Sequence, residues 1–303
     1  MSLRSLLCLP FLLVAGALHA AAQEAPYFVT YDHHLEEPGN LEIAVSSTMG
    51  IPRKSSGDPS SGDPSKDQKF YFAPFSEIEY GVTGRWTTEL YLEGQHTAGD
   101  SAVFTGWRWE NRFRPLKREH WINPILYIEY ESLNEATRIQ KEIVGNAPSF
   151  DEPNSELQKA KAHEIETKLI LSSNVHDWNL AGNFIVEKNL SHNEGFEFGY
   201  SAGVSRSLAS LASGNRCRFC RENFTAGVEI YGGLGTTNGF GLHDTVHYLA
   251  PVIAWQVSDN STLRFSPGFG LNHASNPVLL RFGYSYEVRA FGRKLAQVFR
   301  GKQ

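Results

Sequence analysis

The sequence predicts an all-β protein, a transmembrane antiparallel β-barrel of about 12 strands. Runs of about ten residues alternate apolar with polar side chains, which is typical of strands with one apolar and one polar face. Tight turns with an aromatic residue at the edge separate such runs at 80–86, 171–178 and 255–262. Repeated hairpins of this kind, behind an export signal, indicate a barrel of the bacterial outer membrane.

The export signal lies at the amino terminus. Arg4 supplies a positive charge, an apolar run covers 6–18, and small residues at 20–22 suit a cleavage site. The predicted divisions of the chain are therefore a signal peptide at 1–22, a periplasmic N-terminal segment at 23–39, an outer-membrane β-barrel at 40–290 and a basic periplasmic C-terminal tail at 291–303.

Strands must supply any membrane span, because no run of about 18 apolar residues follows the signal peptide. An even number of strands lets an antiparallel barrel keep both termini on one side of the membrane. Twelve candidate strands are predicted at about 40–49, 70–80, 86–95, 105–114, 123–132, 163–172, 178–188, 196–206, 223–232, 246–257, 262–271 and 278–289.

The lengths of the connections suggest an orientation. Every second connection is short, except the one at 207–222, and the two longest lie at 50–69 and 133–162. Bacterial barrels have short periplasmic turns and longer external loops, so the short connections are predicted to be periplasmic. We expect 133–162 to be a polar surface loop, with folding into the pore mouth as the alternative.

Tryptophans are predicted to form an aromatic girdle at the two membrane interfaces. Trp86, Trp121, Trp178 and Trp255 lie at predicted periplasmic turns. Trp107 and Trp109 are placed near the outer end of the fourth strand, so no tryptophan is expected in the middle of the membrane.

Charged residues alternate with the apolar ones, so the phase of each strand directs them into the barrel. One interpretation is a narrow pore in which an arginine ladder faces a glutamate wall and selects small polar or charged solutes. The other is a set of cross-strand ion pairs that stabilise the barrel. The predicted pore-lining residues are Arg108, Arg112, Arg114, Glu77, Glu79, Glu89, Glu93, Glu129, Arg264 and Arg281.

Two segments, 78–86 and 126–131, resemble the proteobacterial outer-membrane proteins assigned to the phenol-degradation meta-pathway. This resemblance implies a small-solute channel or transporter. The expected partners are therefore outer-membrane lipid, a small-molecule solute and the barrel-assembly machinery.

Enzymatic alternatives have weaker support. The string 199–203 matches the nucleophile motif G-x-S-x-G, but it lies within an alternating run rather than at a strand-to-helix turn. An outer-membrane lipid hydrolase would need a Ser and a His paired on the lipid-facing surface near the outer rim. In the predicted strands, no Ser and His share both that face and that distance from the rim. No catalytic residue is predicted. A secreted β-sandwich without transport activity is a further alternative.

Cysteine and histidine residues offer candidates for a disulfide and for a metal site. Cys217 and Cys220 are predicted to form a local disulfide, because the periplasm is oxidising. His33 and His34 could capture a metal, but a solvated segment is favoured, so no metal site is predicted. The chain has no motif for a cofactor. Its formal charge is −5 and it has no basic aromatic stripe, so no nucleic-acid partner is expected.

Overall fold

The computed structural model describes residues 26–52, 69–139, 143–146, 153–211 and 223–300. The predicted signal peptide at 1–22 lies outside these residues, as do Cys217 and Cys220 of the predicted disulfide.

Twelve long strands form the wall of a closed antiparallel barrel, which confirms the predicted fold class. Each long strand pairs with the next one along the chain, and the first pairs with the last to close the barrel. A two-residue strand, β10, only extends the pairing of β9. The strands are β1 (Leu41–Ile51), β2 (Tyr71–Thr83), β3 (Trp86–Thr97), β4 (Ala102–Phe113), β5 (Asn123–Asn134), β6 (Lys161–Val175), β7 (Trp178–Asn189), β8 (Phe196–Ser207), β9 (Phe224–Thr236), β10 (Gly239–Phe240), β11 (His247–Ser258), β12 (Ser261–Gly270) and β13 (Val278–Val288).

The two ends of the barrel differ in their connections. We call one the turn end, where the connections are 84–85, 114–122, 176–177, 208–223 and 259–260, and the opposite one the loop end. His176 and Asp177 have φ values of 48° and 67°. Positive φ at both central residues defines the turn type whose twist matches paired strands, so the chain reverses there in two residues.

The outer surface of the barrel is apolar. Along β1, Ala44 and Ser46 are buried while Val45, between them, is 58% exposed. The same alternation on the other strands exposes a belt of large apolar side chains, which a bilayer accommodates and water does not. Members of this belt include Ile43, Ile78, Leu90, Leu92, Leu126, Ile128, Leu169, Leu171, Leu180, Phe184, Leu249, Ile253, Leu263, Phe282 and Tyr284.

The tryptophans of β4 require a correction. The strand starts at Ala102, earlier than predicted, so Trp107 and Trp109 lie near its middle and not at its outer end. Trp109 donates its indole N–H to Thr88 Oγ1 at 2.9 Å, which satisfies its polar atom on the outer face. Trp86, Trp121, Trp178 and Trp255 lie at the turn end.

Helices play a minor part. The helix α1 (Asn154–Leu157) follows the long connection after β5, a 3₁₀ helix covers Leu208–Leu211, and α2 (Phe291–Arg300) follows β13. The basic tail predicted at 291–303 thus begins as a helix, with Val298 and Phe299 exposed. No helix in the described ranges has the length and apolar character required to span a bilayer.

Candidate functional site in the barrel lumen

The lumen contains an N-terminal plug, formed by residues 26–40. The Tyr27 hydroxyl lies 3.2 Å from Asn179 Oδ1 at the start of β7, and Val29 belongs to an apolar cluster deep in the barrel. The chain then returns towards the turn end, where His33 contacts Ser172. Since Val29 and His33 are buried, the expectation of a solvated segment is wrong for this part of it, whereas residues 37–38 are exposed.

A single carboxylate holds the deepest part of the N-terminal plug. Glu229 on β9 accepts backbone N–H bonds from Phe28 at 3.2 Å and from Val29 and Thr30 at 3.0 Å. Backbone amides inside a barrel need such acceptors, because unpaired buried donors are costly. Asn183 binds the next residue, Tyr31, through both its backbone N–H at 2.7 Å and its carbonyl at 2.8 Å.

A loop plug, residues 135–139 and 143–146, enters from the loop end. Val144 forms an isolated bridge with Gly199, and Gly145 forms one with Gly235. A side chain at Gly199 would place its Cβ 2.6 Å from the Ile143 carbonyl, so the close approach requires glycine. The described residues 135–139 and 143–146 of the connection predicted as a surface loop therefore fold into the pore mouth, which was the alternative.

The two plugs meet in one apolar cluster. Val29 of the N-terminal plug and Ile139, Ile143 and Val144 of the loop plug are all members. Burial of these side chains packs both plugs against the wall inside the lumen. The wall contributes Tyr71, Ala73, Ile185, Tyr231, Tyr248, Ala250 and Leu279, and Val246 also belongs to the cluster.

Arg108 and Arg112 lie on the inner face of β4, and each binds several carboxylates. Arg108 Nε is 2.6 Å from Glu93, and its Nη1 is 2.8 Å from Glu129. Arg112 contacts Glu79 at 2.6 Å, Glu110 at 2.7 Å and Glu89 at 3.2 Å. Tyr91 joins the two groups, because its hydroxyl donates to Glu110 at 3.0 Å and its ring centre lies 4.0 Å from the Arg108 guanidinium. We call the joined groups the ion network.

Glu110 was missed in the sequence-based list of pore-lining residues. Its position, two residues from both Arg108 and Arg112, gives it the same phase, so the signal was present. Its carboxylate also accepts a 3.0 Å hydrogen bond from the Tyr31 hydroxyl. Glu110 thereby connects the ion network to the N-terminal plug.

The other predicted pore-lining residues also lie on the inner side of the wall. Arg114 donates to the His33 carbonyl at 2.7 Å and so binds the N-terminal plug rather than a glutamate wall. Arg264 Nη2 is 3.6 Å from Glu77. The buried Arg281 guanidinium lies 4.7 Å from the centre of the Tyr231 ring.

Carboxylates outnumber cations on this inner wall. Among the described strand residues, nine glutamates are buried but only four basic side chains are. The basic residues are Arg108, Arg112, Lys168 and Arg281, and the glutamates are Glu79, Glu89, Glu93, Glu110, Glu129, Glu131, Glu166, Glu187 and Glu229. Acidic side chains thus outnumber basic ones on the inner wall, and the loop plug adds one more buried cation, Arg138.

A cavity of about 370 Å³ remains beside the N-terminal plug. Its lining runs from Asp259 and Arg289 at the turn end to Arg108 and to Ile139 of the loop plug. The cavity is large enough for a small solute, and charged groups of both signs surround it.

Ser201, the serine of the G-x-S-x-G string, lies inside strand β8 and faces the lumen. It is buried and donates to Asn183 Oδ1 at 3.0 Å, the same oxygen that accepts the Tyr31 N–H. A nucleophile elbow needs a strand-to-helix turn. The motif supports the plug here, not a hydrolytic site.

A closed barrel with a lipid-facing belt and a charged interior is an integral outer-membrane β-barrel, as predicted. The sequence matches no family model and no curated protein. The resemblance to the phenol-degradation proteins therefore stays a prediction.

Solved structures share the barrel fold. An outer-membrane channel from Pseudomonas putida F1 aligns with a TM-score of 0.51 at 10% identity, covering 86% of this chain and 100% of that one. The KdgM porin aligns with a TM-score of 0.48 at 10% identity, covering 81% of this chain and 98% of that chain. At such identities the likeness extends to the fold alone.

Gly203 on β8 offers a test of plug seating. A Cβ there would lie 2.6 Å from the Tyr27 ring, whereas one at Gly182 on the adjacent β7 meets nothing within 4 Å. We expect Gly203→Val to displace Tyr27 and to speed hydrogen exchange of the plug amides, measured by mass spectrometry. Gly182→Val is the matched control. Equal exchange in both variants would contradict this packing.

Proposed function

We propose that this protein is an outer-membrane channel for small polar or positively charged solutes, closed in this structure by its two plugs. The observation that carries the proposal is the excess of buried carboxylates over basic side chains on the inner wall of a lipid-facing barrel. Burying a charged residue in such an interior costs free energy unless the charge is paired or hydrated.

The ion network is compatible with both interpretations made from the sequence. Arg108 and Arg112 each neutralise several glutamates, which supports the wall when the lumen is closed. Their positive charge does not balance the carboxylates around them, so the remaining field attracts cations. One network thereby stabilises the barrel and biases permeation towards cations.

Conduction requires movement of the N-terminal plug. Side-chain hydrogen bonds, among them those of Glu229, Asn183, Glu110 and Arg114, and the apolar cluster attach the plug to the wall, whereas the wall itself is a continuous ladder of strand pairing. We therefore expect the plug to detach from the wall before the strand pairing of the barrel breaks. By the usual arrangement of bacterial barrels the turn end faces the periplasm, so the plug would withdraw to that side.

Planar-bilayer recording tests this function. In a potassium chloride gradient, we expect the full mature chain to give conductance steps whose reversal potential favours K⁺ over Cl⁻. Glu42→Gln combined with Glu77→Gln should lower that preference, because both carboxylates line the cavity beside the N-terminal plug. Glu156→Gln, on the half-exposed helix α1, is the matched control.

Two results would overturn the proposal. The first is a preference for Cl⁻. The second is silence of a chain that lacks both 26–38 and 135–146 but still migrates as a folded barrel on an unboiled denaturing gel. Silence of that chain would leave a structural barrel without transport activity.

A further inference from the structure

His33 and His34 are adjacent in the N-terminal plug, and both approach the 114–122 connection of the wall. Their rings stack with centroids 4.5 Å apart. Glu119 of the connection places a carboxylate oxygen 3.6 Å from His33 Nε2. One ring nitrogen of each histidine and one Glu119 oxygen all lie within 4.8 Å of one another.

Both imidazole rings are oriented by a second partner at Nδ1. His33 Nδ1 lies 2.5 Å from Ser172 Oγ, and His34 Nδ1 lies 2.7 Å from Asp32 Oδ2. Oxygen partners at Nδ1 hold the orientation of both rings, as in metal sites whose histidines are held by carboxylates, and leave Nε2 as the nitrogen that a metal can bind.

The surroundings of His33 suit a cation between the plug and the wall. When Nδ1–H donates to Ser172 Oγ, Nε2 carries the lone pair; Nε2 lies 3.6 Å from the Glu119 carboxylate and 3.4 Å from Asn174 Nδ2. A metal ion between Nε2 and the carboxylate would have one ligand from the plug and one from the wall.

We propose that His33, His34 and Glu119 form a binding site for a divalent transition metal of the zinc class. Two imidazoles and one carboxylate are a donor set that zinc prefers, with water completing the coordination. His33 and His34 belong to the plug and Glu119 to the wall, so the metal would cross-link the two. The site does not depend on the proposed channel function.

Zinc titration by calorimetry on the untagged, chelator-treated full mature chain tests the site. We expect saturable binding of one zinc ion per chain, and at least a tenfold loss of affinity in His34→Ala and in Glu119→Gln. Glu119 is half-exposed, so its replacement leaves the fold intact. The exposed His243, which pairs with Asp244, supplies the matched control His243→Ala.

The titration is repeated in a Cys217→Ser and Cys220→Ser background, so that thiolates cannot account for the zinc. Cobalt(II) gives an independent readout, because a visible band from nitrogen and oxygen ligands should appear and be lost in His34→Ala. The absence of one-to-one binding would overturn the site. So would binding that survives both His34→Ala and Glu119→Gln.

Discussion

Replacing Glu229 with glutamine is expected to release the N-terminal plug. The carboxylate accepts three backbone N–H bonds from consecutive residues, 28–30. Hydrogen bonds to a charged acceptor contribute about 1 kcal/mol more each than neutral ones. The substitution is therefore expected to weaken the binding of the plug to the wall by about 3 kcal/mol. This shifts the ratio of displaced to bound plug about 100-fold.

Hydrogen exchange and conductance measure this shift by independent routes. Exchange at Val29 and Thr30 should accelerate by about the same factor, because their amides open to water when the plug leaves. Conductance steps should become more frequent in the same protein. Glu187→Gln removes another buried inner-face carboxylate, on β7, and serves as the matched control.

The exchange and conductance results distinguish Glu229 from the other contacts that could hold the plug or close the lumen. If exchange at 28–30 is unchanged in Glu229→Gln, the apolar cluster around Val29 alone holds the plug. If exchange accelerates while conductance stays the same, the loop plug closes the lumen by itself. The first result would contradict the role assigned to Glu229, and the second would contradict the role of the N-terminal plug in closing the lumen.

The barrel wall could be predicted because its determinants are local. Each strand alternates apolar and polar residues, and the turns carry their own signals, so all twelve predicted strands appear in the structure. The boundaries were less accurate. Several strands run further at the loop end, and this is the reason that Trp107 and Trp109 were misplaced.

The contents of the lumen could not be predicted, because they depend on contacts between distant residues. Val29 and its acceptor Glu229 are 200 residues apart, and the plug residues have no periodicity that marks them as buried. The alternation along each strand predicts that the charged side chains face the lumen, but it does not predict which residues they bind. Arg114 had the right phase, for example, yet it binds the His33 carbonyl.

The Arg108→Gln variant is expected to destabilise the barrel. Arg108 is buried, and it binds Glu93 and Glu129. Removing one partner of a buried ion pair leaves charge without compensation, which typically costs about 3–5 kcal/mol. Urea unfolding in lipid vesicles, followed by tryptophan fluorescence, measures the loss. Lys159→Gln breaks an exposed pair with Glu156 and should cost less than about 1 kcal/mol.

A double substitution tests whether the loss arises from the charge left behind. Glu93→Gln removes one of the two carboxylates that Arg108 neutralises, so Arg108→Gln with Glu93→Gln should be more stable than Arg108→Gln alone. If the two losses simply add, the cost comes from packing of the guanidinium, which lies 4.0 Å from the Tyr91 ring centre. Recovery in the double variant would instead mean that the carboxylates of the inner wall need a cation nearby. A permeating cation could supply the same compensation, and potassium should then stabilise Arg108→Gln more than it stabilises the parent chain.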